Sequence, residues 1–81
     1  MFQVYILELI DGSYYVGFTD NLDRRLHEHS LGIACSHTKK IPMKQLRWSE
    51  EQPDRLKARQ REKELKGWRR EKKEQLWKGL F

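Results

Sequence analysis

Two runs of apolar and aromatic residues open the chain, with a short polar turn between them. Residues 2–9 and 13–19 are rich in Val, Ile, Tyr and Phe, which are residues that favour strands. Asp11 and Gly12 lie between the two runs and are typical of a tight turn. The pattern therefore predicts a β-hairpin at the start of the chain.

The length of the hairpin loop decides which side chains share a face of the sheet. Tyr5 and Tyr15 can project from one face only if the loop has an odd number of residues, because side chains alternate along a strand. Residues 10–12 fit a type I turn that ends with Gly12 in the left-handed conformation. In that register Tyr5 faces Gly17, which leaves space beside the Tyr5 ring because it has no side chain.

A helical period follows the hairpin. Asp20 or Asn21 is a suitable N-cap, and the predicted helix runs to about Ser30. At about 100° per residue, one contiguous face consists of Leu22, Arg25, Leu26 and His29, whereas the opposite face has Arg24, His27 and Glu28. The period thus separates two adjacent arginines: Arg25 leans toward the protein body, and Arg24 points to water.

A basic connection leads from this helix to a third strand. Residues 32–42 include the run Ser-His-Thr-Lys-Lys and predict a polar loop. Residues 44–49 predict a short strand with Leu46 and Trp48 on one side. Together with the hairpin, this strand predicts a three-stranded antiparallel sheet.

A second helix begins at Pro53 or Asp54, both of which are residues that start helices. Its period gathers Ala58, Glu62 and Leu65 within about 60° of one another. Glu62 is therefore a carboxylate on an otherwise apolar inner stripe, where it needs a partner.

Positive charge is concentrated in the last third of the chain. Gly67 and Trp68 interrupt the second helix, and residues 69–78 predict a third. Residues 54–81 hold 11 of the 17 Lys and Arg side chains but only 5 of the 12 Asp and Glu side chains. Such a surface suits a polyanion, and a solvated helical surface of mixed charge explains it equally well.

Length and composition exclude several classes of protein. A length of 81 residues predicts one small domain, residues 1–81, and excludes a second. A single cysteine, Cys35, excludes an internal disulfide and a multi-thiolate zinc site. The apolar start has no basic leader, and Glu8 interrupts it well short of the ~20 residues that a membrane span needs. We therefore expect a cytoplasmic protein without a membrane partner.

The spacing of two tyrosines and an arginine is the most informative signal. Residues 4–6 (Val-Tyr-Ile) and 15–17 (Tyr-Val-Gly) flank the turn, and Arg25 follows on the next helix. This spacing resembles the GIY-YIG nuclease domain over nearly the whole chain, to about Trp68, and particularly its short stand-alone bacterial members. The N-terminal module of one component of the excinuclease ABC is similar. Val4 replaces the first glycine of the motif, and the final helix lacks a convincing match to the asparagine of repair-type relatives.

The resemblance implies a small α+β domain that hydrolyses phosphodiester bonds in DNA with Mg²⁺ or Mn²⁺. The implied catalytic residues are Tyr5, Tyr15, Arg25, His29 and Glu62. Tyr5 would act as general base and Glu62 as the single protein ligand of the metal. The predicted nucleic-acid contacts are Gly17, Thr38, Lys39, Lys40, Arg69, Arg70, Lys72 and Lys73. The hypothesis includes branched or single-stranded DNA as substrate and a role in repair or recombination.

Each of these residues also has a purely structural interpretation. A tyrosine in a strand is usually a packing residue, and an arginine on a helix is most often solvated. Glu62 could form a salt bridge with Arg25 or a lysine, and His29 could have no role. Two other function classes therefore stay open: a nucleic-acid-binding module that turns over poorly, and a protein whose basic helix docks on an acidic partner.

Overall fold

Three strands and three helices follow one another in the order that the residue patterns predict. The structure is a computed structural model that describes residues 1–34 and 39–78. Its elements are β1 (Phe2–Leu9), β2 (Tyr14–Thr19), α1 (Leu22–Ser30), β3 (Met43–Gln52), α2 (Arg55–Lys66) and α3 (Arg70–Lys78). The sheet is antiparallel, with the strand order β2-β1-β3. This confirms the predicted α+β fold.

None of the helices in these two ranges is long and apolar enough to cross a lipid bilayer.

The hairpin has the predicted register. Tyr5 lies opposite Gly17, and Tyr15 projects from the same face two residues away. The loop closes when the Gly12 N–H donates to the Leu9 carbonyl at 2.9 Å. Gly12 has a φ of 86°, the left-handed conformation that the three-residue loop requires.

Alternation along the strands gives the sheet two apolar faces. The first cluster packs α2 against the sheet and consists of Val4, Ile6, Val16, Ala58 and Leu65. The second packs α1 against the other face and consists of Tyr5, Leu7 and Leu9, with Leu22 and Leu26 of the helix. The sheet therefore separates α1 from α2, and both phenols of the hairpin lie on the α1 side.

The third strand differs from the prediction in length and in the direction of its side chains. β3 spans Met43–Gln52 rather than residues 44–49, and its pairing with β1 shifts by one residue between Trp48 and Leu46. This bulge puts Trp48 in the α2 cluster and Leu46 in the α1 cluster. The prediction that both lie on one side is wrong, because an inserted residue reverses the alternation without changing the apolar pattern.

The helices begin at or near their predicted starts. Asn21 caps α1 and Asp54 caps α2, each by accepting a hydrogen bond from a backbone N–H of the first turn. α3 begins at Arg70, one residue later than predicted. Lys39 and Lys40 have helical backbone, so the prediction of a loop is wrong there; lysine is a good helix former.

α3 is held against the hairpin by a set of contacts that we call the α3 clamp. The Arg70 guanidinium lies 4.3 Å from the centroid of the Tyr14 ring and donates a hydrogen bond to the Gly12 carbonyl. The Tyr14 hydroxyl donates to Glu74 at 2.6 Å, and the Trp77 ring meets Tyr14 edge-on at 5.2 Å. This hydrogen bond lowers the pKa of the Glu74 carboxyl, while burial and the same bond raise the pKa of Tyr14 to about 12.

Gly12 gives a direct test of the hairpin loop. We expect Gly12→Ala to reduce the free energy of unfolding by about 1 to 2 kcal/mol, because a Cβ is unfavourable in the left-handed conformation. A Cβ at this position would meet no atom within 4 Å, so the loss reports the backbone alone. Urea denaturation measures it. Gly12→Asn is the matched control and should lose less, since Asn visits this conformation more readily; equal losses would contradict the explanation.

Candidate active site

Three aromatic side chains meet between the sheet and α1. The ring centroids of Tyr5 and Tyr15 are 6.5 Å apart, and the His29 ring lies edge-on to both, at 5.7 and 5.3 Å. Tyr5 is 2% exposed and His29 is 1% exposed, whereas Tyr15 is half-buried. The structure therefore brings these three predicted residues into direct contact, and Tyr15 is nearest to solvent.

The Tyr5 ring occupies the space that a side chain at position 17 would fill. A Cβ on Gly17 would lie 2.6 Å from the Tyr5 hydroxyl oxygen and 3.1 Å from the Tyr15 ring. Gly17 is itself buried. The structure thus gives Gly17 a packing role, and its contact with nucleic acid stays a prediction.

A buried hydrogen bond of 2.8 Å joins the Tyr5 hydroxyl to Nε2 of His29. Burial lowers the pKa of His29, and the positive charge of Arg25 lowers it further, although Glu28 acts in the opposite direction. The imidazole is therefore neutral near pH 7. A neutral ring that carries its proton on Nδ1 accepts the phenol proton at Nε2.

Arg25 lies one helical turn before His29 and is half-buried. Its Nη1 is 3.5 Å from Oε1 of Glu28, but its buried Nε has no hydrogen-bond partner within the described ranges, and neither has that carboxylate oxygen. Glu28, which the helical period places on the face opposite Arg25, has a side chain that is only 30% exposed and lies toward the Arg25 charge. A buried donor without a partner is costly, and a phosphate oxygen would satisfy it.

Glu62 belongs to the layer on the other side of the sheet. Its side chain is only 18% exposed and pairs with Lys66 at 3.3 Å, so the lysine salt bridge considered above is present. α2 packs against the sheet, including β2. At its first residue, the guanidinium carbon of Arg55 lies 5.9 Å from the centroid of the Phe18 ring. Glu62 is seven residues later on the same helix face, about 10 Å further along. Ala58 and Leu65 of the same helix pack against the sheet face opposite Tyr15, so Glu62 and Tyr15 lie on opposite sides of the sheet.

A cleft of about 260 Å³ connects α1 with α2 at the end of the hairpin. Its lining consists of Phe2, Phe18, Thr19, Asp20, Arg25 and Arg55. Sequence reasoning missed Phe18 and Arg55, because periodicity assigns the first to the core and the second to the solvent-facing start of a helix. Phe18 and Arg55 share a cleft with Arg25 only because of the tertiary arrangement of two helices on different sides of the sheet.

The residues present fit an ion that prefers carboxylate and water oxygens, such as Mg²⁺ or Mn²⁺, rather than zinc. Within residues 1–34 and 39–78, no group of three or more His, Cys, Asp or Glu side chains is placed to hold a metal. Mg²⁺ commonly binds one or two carboxylates and completes its shell with water and substrate phosphates. Glu62, a single partly buried carboxylate, suits that ion and does not suit zinc, which needs three or four protein ligands.

The predicted nucleic-acid contacts differ in how available they are. Five of them are exposed: Lys39, Lys40, Arg69, Arg70 and Lys72. Arg70 also takes part in the α3 clamp, and because its side chain is 51% exposed, its contact to nucleic acid stays a prediction. Lys73 is half-buried, and burial together with Arg70 lowers its pKa. Thr38 lies outside the described residues, as does Cys35.

A comparison with protein families gives a match over most of the chain. The model of the GIY-YIG catalytic domain matches residues 1–75. The chain belongs to the GIY-YIG family. A UPF0213 protein of Halobacterium salinarum is 35% identical to it over 77 residues, which cover 95% of this chain and 100% of the relative. Another, from Haloquadratum walsbyi, is 41% identical over 73 residues, 90% of this chain and 82% of the relative.

A solved structure supports the fold independently. The solution NMR structure of a UPF0213 protein from Bacillus halodurans is 40% identical and superimposes with a TM-score of 0.57. The match covers 94% of this chain and 82% of that one. Since the family model is that of a catalytic domain of nucleases, membership supports a nuclease-like function on nucleic acid.

His29 should make the stability of the domain depend on pH. Because its pKa in the folded protein is below the ordinary 6.5, the unfolded chain binds more protons as the pH falls through this region. We therefore expect the free energy of unfolding to fall between about pH 7 and pH 5. Urea denaturation across this range measures the change.

Two variants on α1 separate His29 from other titrating groups. His29→Gln should flatten the dependence, whereas His27→Gln, at an exposed position of the same helix, should keep it. Glu8 and Glu74 have lowered pKa values, from the Arg47 and Tyr14 hydrogen bonds respectively, so their stabilisation is lost only below about pH 4.5. A pH dependence that survives His29→Gln would contradict the assignment.

Proposed function

We propose that the protein is a metal-dependent endonuclease that hydrolyses phosphodiester bonds in DNA. The observation that carries the proposal is the buried hydrogen bond between Tyr5 and a neutral His29, next to the unpaired Nε of Arg25. A phenol bonded to a neutral imidazole can pass on its proton, and an unpaired guanidinium N–H can bind a phosphate oxygen. Nucleic acid brings that phosphate, and family membership supports the same chemistry.

Tyr5 is the general base of this mechanism, and His29 receives its proton. The ordinary pKa of a phenol, near 10, makes it a weak base at neutral pH. As the attacking water gives a proton to the phenol oxygen, the phenol gives its own proton to Nε2 across 2.8 Å, so no phenolate has to form beforehand. Glu28 supports the resulting imidazolium. Tyr5 is 2% exposed, so the attacking water would have to enter past the half-buried Tyr15 and Arg25.

Arg25 and Tyr15 hold the phosphate. The guanidinium binds two phosphate oxygens through Nε and a terminal nitrogen, and its charge offsets the negative charge that develops in the transition state. The Tyr15 hydroxyl orients the same group from β2. Glu28 competes for Arg25 only weakly, because their 3.5 Å ion pair lacks an aligned hydrogen bond.

Glu62 would hold Mg²⁺ or Mn²⁺ from the other side of β2. When bound, the ion supplies charge stabilisation at the leaving oxygen. In the free protein the Glu62 carboxylate pairs with Lys66 at 3.3 Å, and the bound ion would take the place of that partner. The scissile phosphate then lies across the edge of β2, between Arg25 and Glu62. The exposed lysines and arginines would contact phosphates rather than bases. Such contacts recognise the shape of DNA rather than its sequence, which favours branched or single-stranded DNA as the substrate. Enzymes of repair or recombination in the cytoplasm act on DNA of this kind.

A second candidate function is a nucleic-acid-binding module with low turnover. The near-complete burial of Tyr5 and His29 favours it, because a general base must meet the attacking water. Cleavage assays decide between the two functions.

Glu62→Ala tests the metal site. With Mg²⁺ and flap, splayed or Holliday-type DNA, we expect the variant to lose about 10²-fold or more in cleavage rate, because charge on the leaving oxygen is no longer stabilised. DNA affinity should change little, since the metal acts mainly in the transition state. Single-turnover cleavage and fluorescence anisotropy measure the two effects.

Glu64→Ala is the matched control for this variant, because it removes an exposed carboxylate of the same helix that pairs with Arg61. It should cleave normally. A Glu62→Ala protein as fast as wild type contradicts the metal assignment. If wild type cleaves none of these substrates with any divalent ion, the binding module replaces the enzyme.

Tyr5→Phe tests the general base. The change deletes one hydroxyl and keeps the ring that packs against Gly17, so we expect a folded, DNA-binding protein that cleaves about 10²-fold more slowly or worse. Circular dichroism, anisotropy and single-turnover rates measure these properties. Tyr14→Phe is the control: it deletes a neighbouring hydroxyl that serves the α3 clamp, and should retain activity. Cleavage by Tyr5→Phe at the wild-type rate contradicts the assignment.

A further inference from the structure

The cleft between α1 and α2 combines aromatic rings with guanidinium groups. The ring centroids of Phe2 and Phe18 are 6.4 Å apart, with the planes tilted by 53°. The Arg55 guanidinium carbon lies 5.9 Å from the Phe18 centroid, and Arg25 lines the same space. Neither the proposed mechanism nor the predicted contacts use the two phenylalanines or Arg55.

The two rings leave apolar surface uncovered. Phe2 and Phe18 pack against the α2 cluster but are only half-buried, since they project from the open end of the hairpin. Apolar surface exposed to water is unfavourable by about 25 cal/mol per Å². A flat aromatic ligand would cover it, and nucleobases stack on such rings whatever their sequence, because every base has a π-face.

The charge of the cleft suits an anion next to that ring. Arg25 and Arg55 both line it, and the buried Nε of Arg25 has no hydrogen-bond partner in the part of the chain that the structure describes. The one carboxylate of the lining, Asp20, is ion-paired with Arg24 at 3.3 Å. Two guanidinium groups therefore remain for a phosphate that is attached to the stacked base.

The geometry points to a subsite for one unpaired nucleotide, with its base against Phe2 and Phe18 and its phosphate on Arg25 and Arg55. The cleft volume, about 260 Å³, is near the lower limit of ligand sites, roughly 300 Å³, and suits a single base. A base inside a duplex is stacked and has no free face, so the subsite selects flaps, splayed ends and single strands. This inference rests on the proposed function, which assigns Arg25 to the scissile phosphate.

The test compares two strands that differ only in their bases. The probes are a short fluorescein-labelled oligothymidylate and an abasic strand of the same length, which has the same number of phosphates. Wild type should bind the oligothymidylate about 10-fold more tightly than the abasic strand, because stacking requires a base. Fluorescence anisotropy at fixed ionic strength measures both affinities, without metal and without cleavage.

Leucine variants identify the rings. Phe2→Leu combined with Phe18→Leu removes both π-faces at similar volume, and should erase the preference while leaving the affinity for the abasic strand unchanged. Trp48→Leu is the matched control: it removes a half-buried aromatic ring of the same cluster that lies outside the cleft, and should keep the preference. Circular dichroism confirms that each variant is folded.

Arg55→Gln tests the phosphate half of the subsite. It should weaken binding of both strands equally and make the slope of log K against log salt less steep by about one unit, because one phosphate contact is lost. The preference for the base-containing strand should remain. An Arg55→Gln protein with wild-type affinity and slope overturns this part of the subsite.

The outcomes separate this inference from the proposed function. Equal affinity of wild type for the two strands overturns the subsite even if the protein cleaves DNA. A preference that survives the double leucine variant also overturns it. A preference lost in that variant alone supports the subsite, even if no metal ion gives cleavage and the enzyme proposal fails.

Discussion

The contact between the Tyr5 ring and Gly17 is the constraint on which the candidate site depends. The three-residue loop sets the register, and the register places Tyr5 opposite the one residue of β2 without a side chain. Only because that space is empty can the phenol lie against β2 with its hydroxyl 2.8 Å from His29 on α1. A slip of one residue would move Tyr5 to the α2 face and remove the site. The hairpin register therefore determines both the fold and the geometry of the candidate site.

The α1 side of the core contains buried polar groups in place of purely apolar side chains. Tyr5 and His29 occupy buried volume that aliphatic side chains could fill, and their mutual hydrogen bond limits the cost. Arg25 and Glu28 are less well satisfied, with one buried Nε and one buried carboxylate oxygen unbonded. A domain of this size has little stability to spare, so polar groups kept in this state are typical of a functional site.

The parts of the fold that depend on local chemistry could be predicted from the sequence. The hairpin register follows from the odd number of residues in the loop. The helix starts follow from the capping preferences of Asn21 and Asp54, and the inward position of Glu62 follows from the helical period. The rest depends on contacts between distant residues. The bulge before Trp48 reverses which residues of β3 face each side of the sheet, without altering the composition of the strand. Glu28 lies toward the body of the protein because it pairs with the Arg25 charge. Helical and strand periodicity do not show that residues of α1 and α2 line one cleft together with Phe18.

The same limit applies to the basic residues. Composition counts every cation of the C-terminal third as available to a polyanion, yet Arg70 binds the hairpin and Arg61 lies between two indole rings, with Glu50 and Glu64 as ion partners. Formal charge therefore overstates the surface that remains for phosphates, and what remains includes Arg25 and Arg55 beside β2.

The position of β2 in the sheet explains how the proposed phosphate site would draw on residues from both layers. Tyr15 and Arg25 belong to the α1 layer, and Glu62 belongs to the α2 layer. Were β2 the central strand, neighbours on both sides would separate these groups by the full thickness of the sheet. Since the order is β2-β1-β3, β2 is an edge strand, and a ligand at its open side can reach both faces.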